Sequence, residues 1–133
     1  MKLLWITDEC PYPPNTGGRV GIWKRIEYLS KNNEIILYSI SDNYEDNSYL
    51  ADMLRYCKEV VLFKRNNKIN VLKKILFYPY PAISRWPKKM TNKITETCLK
   101  INPDFVIVDG PYMIGVIPRE IRKKYTLILN QHN

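Results

Sequence analysis

At 133 residues the chain can bury one sizeable core, and its 45% hydrophobic and 26% charged content is that of a folded globular domain, which excludes disordered and fibrous classes. Its longest apolar runs, such as Phe105 to Val108 and Thr126 to Leu129, fall far short of the roughly 20 residues a membrane-spanning helix needs. The net charge of +8 is concentrated: residues 58–100 carry eleven basic side chains against Glu59 and Glu96, whereas residues 1–57 carry six basic and eight acidic ones, and such a local field attracts phosphate, anionic lipid or nucleic acid.

Lys2 to Thr7 is a short apolar run suited to a strand buried on both faces. Asp8 and Glu9 follow it at once without a small-residue cleavage site, so it does not read as a signal peptide. Asp8 to Gly18 holds Pro11, Pro13, Pro14, Asn15, Gly17 and Gly18, a density of breakers that predicts a loop. From Arg19, the residues Ile22, Ile26 and Leu29 fall at helical spacing, and Asn32-Asn33 closes that helix. Glu34 to Ile40 predicts a second strand, Tyr49 to Tyr56 a short helix and Glu59 to Phe63 a third strand. Between Lys64 and Pro87, Ile69, Leu72, Ile75 and Leu76 suggest a helix, and Pro79, Pro81 and Pro87 then impose an extended connection.

Met90, Ile94, Cys98 and Ile101 form one stripe, predicting a helix over Lys88 to Lys100 that ends at Asn102-Pro103. Phe105 to Asp109 is a short buried strand. Pro111 can begin a helix whose apolar face is Met113, Ile114, Ile117 and Ile121, and Thr126 to Asn130 is the last strand. Strands alternating with helices imply parallel pairing and right-handed crossovers: an α/β, Rossmann-like, doubly wound sheet of about five strands in a single domain spanning residues 1–133.

In such a sheet ligands collect beyond the carboxyl ends of the strands, where strand order reverses. Three loops there carry candidate residues. Gly17 and Gly18 open the first helix, either as a plain tight turn or as a place where unpaired N–H groups meet an anion or a sugar hydroxyl; the spacing with Gly21 is not the dinucleotide fingerprint. Tyr112, after Asp109 and Gly110, either packs or lines the same cleft. His132, the sole histidine, follows the last strand beside Gln131 and Asn133, and is either a solvated loop residue or a hydrogen-bonding group at the rim. Cys10, Cys57 and Cys98 are widely spaced and odd in number, without a CxxC pair, and read as reduced thiols of a cytosolic protein. With one histidine, neither a zinc site nor a recognisable hydrolase arrangement is expected.

Taken together, LLWITDECPYPPNTGGRVGIWKRIEYLSKNNEIILYSI, FYPYPAISR, NPDFVIVDGPYMIG and LILNQHN resemble, in order and spacing, the amino-terminal half of a family 4 glycosyltransferase of the two-domain GT-B type. The resemblance implies an acceptor-side domain of an enzyme that moves a hexosyl unit, with retention, from a nucleotide sugar to a glycan or lipid-linked acceptor in polysaccharide biosynthesis. It implies that Gly17, Gly18 and Arg19 approach the donor diphosphate or the acceptor, and that His132 reaches the transferred sugar as the catalytic residue. Tyr112 and Asn133 stand beside them as substrate-binding candidates. No metal or other cofactor is implied, the nucleotide sugar being a substrate. The donor-binding carboxy-terminal domain is absent from these residues, so this truncated domain is expected to be inactive alone.

The basic middle region suits a cytoplasmic protein peripheral to the inner membrane face. The competing reading is a non-catalytic basic α/β module for nucleic acid or anionic membrane. Tyr78, Tyr80 and Trp86 could stack on bases, but no recognition-helix, RNP or zinc motif accompanies them.

Overall fold

Leu3, Leu4, Trp5 and Ile6 leave the first strand without a polar face, so it requires cover on both sides, and the fold supplies it. The computed structural model describes residues 1–42, 48–65, 86–110 and 112–131. Its strands are β1 (Lys2–Thr7), β2 (Glu34–Ser41), β3 (Glu59–Lys64), β4 (Phe105–Asp109) and β5 (Leu127–Asn130), all parallel in the order β3-β2-β1-β4-β5. β1 is central: Trp5 stands in register with Leu37 on one side and Ile107 on the other. Strand order reverses between β1 and β4, which fixes where the ligand crevice of such a sheet opens.

The helices divide between the faces. α1 (Gly17–Ser30) and the single turn α2 (Leu50–Met53) cover a core of Leu3, Trp5, Ile35, Leu37 and Ile107 with Ile22, Trp23, Ile26 and Met53. α3 (Lys88–Ile101), a 3₁₀ turn at Met113–Val116 and α4 (Arg119–Lys124) cover Leu4, Ile6, Tyr38, Val106 and Val108 with Met90, Ile94, Cys98, Met113 and Ile121. This face carries a buried polar tie. The Tyr38 hydroxyl lies 2.5 Å from Thr97 Oγ1 and donates to Glu59 at 3.1 Å, joining β2 and β3 to α3. Burial, reinforced by the Glu59 carboxylate, pushes this phenol above its usual range, so it stays protonated.

Local chemistry sets the element ends. Thr16 caps α1, its Oγ1 accepting from Arg19 N at 3.5 Å, while the Asn33 amide donates to the Leu29 carbonyl at 2.9 Å. α3 stops at Asn102, whose left-handed φ of 48° suits asparagine, and Pro103 forbids another turn. The three cysteines are free thiols, as the sequence suggests. Burial pushes Cys57 up to about 12 and Cys98 up to about 11, which keeps both neutral and inert at physiological pH.

Several expectations change. α1 begins at Gly17 rather than Arg19, because the Thr16 cap draws both glycines into the first turn. α2 occupies only Leu50–Met53 of the expected Tyr49 to Tyr56. The helix expected from Pro111 through Ile121 is two pieces: Ile117 is extended with ψ 117°, as the residue before Pro118 prefers, and α4 starts afresh after the proline. The helix and extended connection expected between Lys64 and Pro87 fall mostly on residues 66–85, outside the described residues.

Ile94 is fully buried at the centre of the α3 stripe. Ile94→Ala is expected to lower unfolding free energy by about 2–5 kcal/mol in urea titration, with an unchanged denaturant slope.

Candidate functional site

The reversal of strand order sets two loops side by side: the segment from Asp8 to Thr16 after β1, and the segment from Gly110 after β4. Thr7 and Asp109 are partners in register, so the loops leave the sheet at one level. Asp109 is fully buried, and a buried carboxylate is tolerated only with partners. The indole Nε1 of Trp5 donates to its Oδ2, and Arg25 Nη2 donates to its Oδ1 at 3.2 Å. This knot joins β1, β4 and α1. The Arg25 side chain is 41% exposed, although its Nε is buried without a hydrogen-bond partner among the described residues, so the guanidinium is held by the single Asp109 contact and by packing.

Gly110 has φ +107°, and a Cβ there would lie 2.7 Å from the Asp8 carboxyl carbon and Oδ2. Glycine is therefore required on two counts: backbone conformation and the space taken by Asp8. Its N–H also donates to the Asn130 carbonyl at 3.3 Å, tying the β4 loop to the end of β5.

The β1 loop is held in place by several side chains. Thr7 Oγ1 donates to the Glu9 carbonyl at 2.8 Å and shares a 2.7 Å hydrogen bond with Ser39. Tyr12 packs edge-on to Trp23 at 4.9 Å and to Tyr49 at 5.6 Å between ring centroids. Both contacts anchor the loop to the helices beneath it.

Gly17 and Gly18 form the first turn of α1, where helix geometry leaves N–H groups outside the intrahelical ladder. A Cβ at Gly17 would meet nothing within 4 Å, and one at Gly18 would meet only Glu9 Oε1 at 3.9 Å. The turn is thus open to close approach, with a carboxylate beside it. Arg19 turns back into the loop: its Nε donates to Glu9 at 3.3 Å and its Nη1 to Asn15 at 3.4 Å, so much of its charge is already matched. Tyr112 is 38% exposed beside the 3₁₀ turn, and its carbonyl accepts from the Trp86 indole at 2.6 Å. β5 carries the chain to this same rim, since Asn130 is the register partner of Asp109. His132 and Asn133, two and three residues further on, lie outside the described residues.

Trp5, Asp8, Glu9, Arg25 and Asp109 join the rim as residues that the sequence does not single out as site candidates. Trp5 reads as plain core in a strand and Arg25 as the polar side of a helix, and only the 84-residue separation closed by the fold reveals their common partner. The hollow at this rim, between Cys10, Tyr12, Arg19, Tyr49 and Met53, measures 120 Å³. A site for a drug-sized ligand needs roughly 300–1,000 Å³. That hollow therefore supplies one wall of a site. Larger depressions lie at the opposite end of the sheet, around Lys2, Glu34 and Lys100, and one of 310 Å³ lies past the carboxyl end of β3, at Leu62, Lys64 and Pro87.

No protein-family model matches the chain. The chain is 27% identical over 141 residues to an uncharacterized 44.6 kDa protein in the cps region of Klebsiella pneumoniae. That match covers 99% of this chain and 33% of the relative, so the chain spans about a third of the length of the curated protein it resembles. Among solved structures it is similar to the C-terminal domain of PF1911 hydrogenase from Pyrococcus furiosus, with a TM-score of 0.59, 11% identity, and coverage of 98% of this chain and 90% of that one. A second structure of that domain gives a TM-score of 0.60 at 11% identity, covering 97% and 89%. These structures bear out the Rossmann-like fold and carry no further meaning for function.

Two substitutions probe the rim. Arg25→Met removes a charged donor from the buried Asp109 and is expected to cost about 3 kcal/mol or more in chemical denaturation, whereas a freely solvated Arg25 would lose under about 1 kcal/mol. Gly110→Ala must displace Asp8 and adopt a disfavoured φ, and is expected to cost about 1–3 kcal/mol by the same measurement.

Proposed function

We propose that this chain is the amino-terminal, acceptor-side half of a retaining GT-B glycosyltransferase that builds a polysaccharide. The observation that carries the reading is the open Gly17-Gly18 turn of α1, facing the strand-order reversal with Glu9 and Arg19 around it. Backbone N–H groups at a helix start suit a phosphate or a hydroxyl oxygen, and carboxylates suit sugar hydroxyl hydrogens. The small volume of the hollow between Cys10, Tyr12 and Arg19 fits a half-site that a donor-binding domain completes. The likeness to a protein of a cps, or capsule polysaccharide, region and the larger size of that relative point the same way.

In this reading the acceptor hydroxyl attacks the anomeric carbon on the face from which the diphosphate leaves. The carbon–oxygen bond to phosphate breaks, and the hydroxyl proton passes to the departing phosphate oxygen. Gly17, Gly18 and Arg19 steady the diphosphate or the acceptor, Tyr112 and Asn133 flank the sugar, and His132 hydrogen-bonds the transferred sugar as its oxocarbenium character develops. The contribution of the chain is orientation and electrostatics. Such an enzyme works on the cytoplasmic side, where nucleotide sugars are held, and needs no metal in this half.

Saturation-transfer NMR on the 133-residue chain tests this. Glycan acceptors should receive saturation, and Gly18→Val, which fills the open turn without touching the core, should abolish it. Silence from every glycan, or transfer indifferent to Gly18→Val, removes the proposal. In the longer protein His132→Ala should lower kcat by about 10²–10³-fold at near-constant acceptor KM.

A further inference from the structure

Where the strands begin, at the end of the sheet away from the rim, a hollow of 370 Å³ lies between the strands and α3, within the roughly 300–1,000 Å³ of small-molecule sites. Strand alternation builds its floor. Lys2 of β1 is the register partner of Glu34, Ile36 of β2 is that of Glu59, and all four line the hollow. Its wall is one face of α3, since Lys93, Glu96, Thr97, Lys100 and Ile101 stand at i, i+3, i+4, i+7 and i+8. Ile36 and Thr97 are buried and close the bottom, and Ile36 with Ile101 makes part of the lining apolar.

The charges of this lining do not cancel. Lys58 Nζ donates to Glu34 at 3.4 Å, Lys93 Nζ donates to Glu96 at 3.5 Å, and Glu59 accepts from the Tyr38 hydroxyl. The ammonium groups of Lys2 and Lys100 have no hydrogen-bond or ion-pair partner among the described residues, the Asp104 carboxylate taking the backbone N–H of Lys2 instead. Both lysines belong to one end of the hollow: α3 finishes at Ile101, and Asp104 N donates to the Lys2 carbonyl at 2.8 Å, which brings the end of α3 to the start of β1. Glu59 is two strands away from Lys2, about 10 Å across the sheet. Two unmatched cations beside an apolar floor call for an anion with an apolar body. A phosphate monoester, with a charge of about −1.5 to −2 at neutral pH, matches them better than a carboxylate does.

We propose that this hollow binds a small phosphate monoester with an apolar body, the phosphate held by Lys2 and Lys100 and the body lying on Ile36 and Ile101. The Glu59 carboxylate at the far side accepts a ligand hydroxyl and repels a second anionic group, which sets the orientation. The rim lies at the other end of the strands, about 15–20 Å away, so the two places can be filled at once. This site stands whether or not the chain belongs to a transferase.

Backbone amide NMR of the same chain, titrated with phenyl phosphate, tests it. Saturable shifts should centre on Lys2, Glu34, Glu59, Thr97 and Lys100, with a Kd of about 1 mM. Inorganic phosphate, which lacks the apolar body, and benzoate, which lacks the second charge, should each bind about tenfold more weakly. The double variant Lys2→Gln, Lys100→Gln should weaken phenyl phosphate by about tenfold or more, and Ile101→Trp, which fills the hollow and keeps both lysines, should do the same. Lys24→Gln, on α1 across the sheet, should leave binding unaltered, and matched thermal melts would show each variant folded. The proposal is overturned by the absence of saturable shifts up to about 10 mM, by binding of inorganic phosphate or benzoate as tight as that of phenyl phosphate, or by indifference to the double variant or to Ile101→Trp. Shifts equally large at the lysines of α4, the mark of unspecific attraction to surface cations, overturn it as well.

Discussion

The carboxylate of Asp109 is the constraint around which the molecule is arranged. A charge taken out of water at the end of β4 must be met by donors, and Trp5 of β1 and Arg25 of α1 are among those it finds. Meeting them fixes the height at which β4 pairs with β1, the sideways placement of α1 over the sheet, and the mouth of the crevice between the following loops. Gly110 then turns away with positive φ because Asp8 fills the space beside it. The rim is thus built from polar residues that hold one another, and its shape follows from satisfying them.

Much of this was legible from the chain alone. Strands with unbroken apolar runs and helices with one stripe declared a parallel sheet covered on both sides, and the boundaries of β1, β4 and α3 followed within a residue. Hydrophobic periodicity is local and survives reading in one dimension. What failed was local competition: Pro118 cut a stripe that looked continuous from Met113 to Ile121, since spacing reports which side chains are apolar and not whether the backbone before a proline can stay helical. The Asp109 knot was illegible for a different reason. Trp5 is indistinguishable from core until its indole nitrogen is shown to have a partner, and Arg25 from a solvated helix residue until strand order is known. Gly17 and Gly18 drew notice as a glycine pair, but Glu9, the carboxylate beside them, did not, having no motif of its own.

Division of labour between the two faces is the second theme. The face under α1 delivers the loop, the aromatic anchor of Tyr12 on Trp23, and the arginine that meets Asp109. The face under α3 and α4 delivers packing, a Tyr38–Thr97 tie and a cationic exterior. Positive charge is spread along residues 58–100, yet α4, just beyond, carries a denser group of exposed cations.

The span of the Asp109 contacts bears on how the molecule assembles. Trp5 and Arg25 lie 104 and 84 residues from their partner, with β2 and β3 formed in the interval. A chain whose β4 has not yet inserted beside β1 has no partial version of this crevice, only an arginine and an indole in water. Loop closure on that scale precedes its reward, so folding is governed by non-local pairing and is slow relative to helical bundles of similar size. The rim then appears in the same cooperative step that completes the sheet, and a molecule able to bind at it is by that fact a fully folded one.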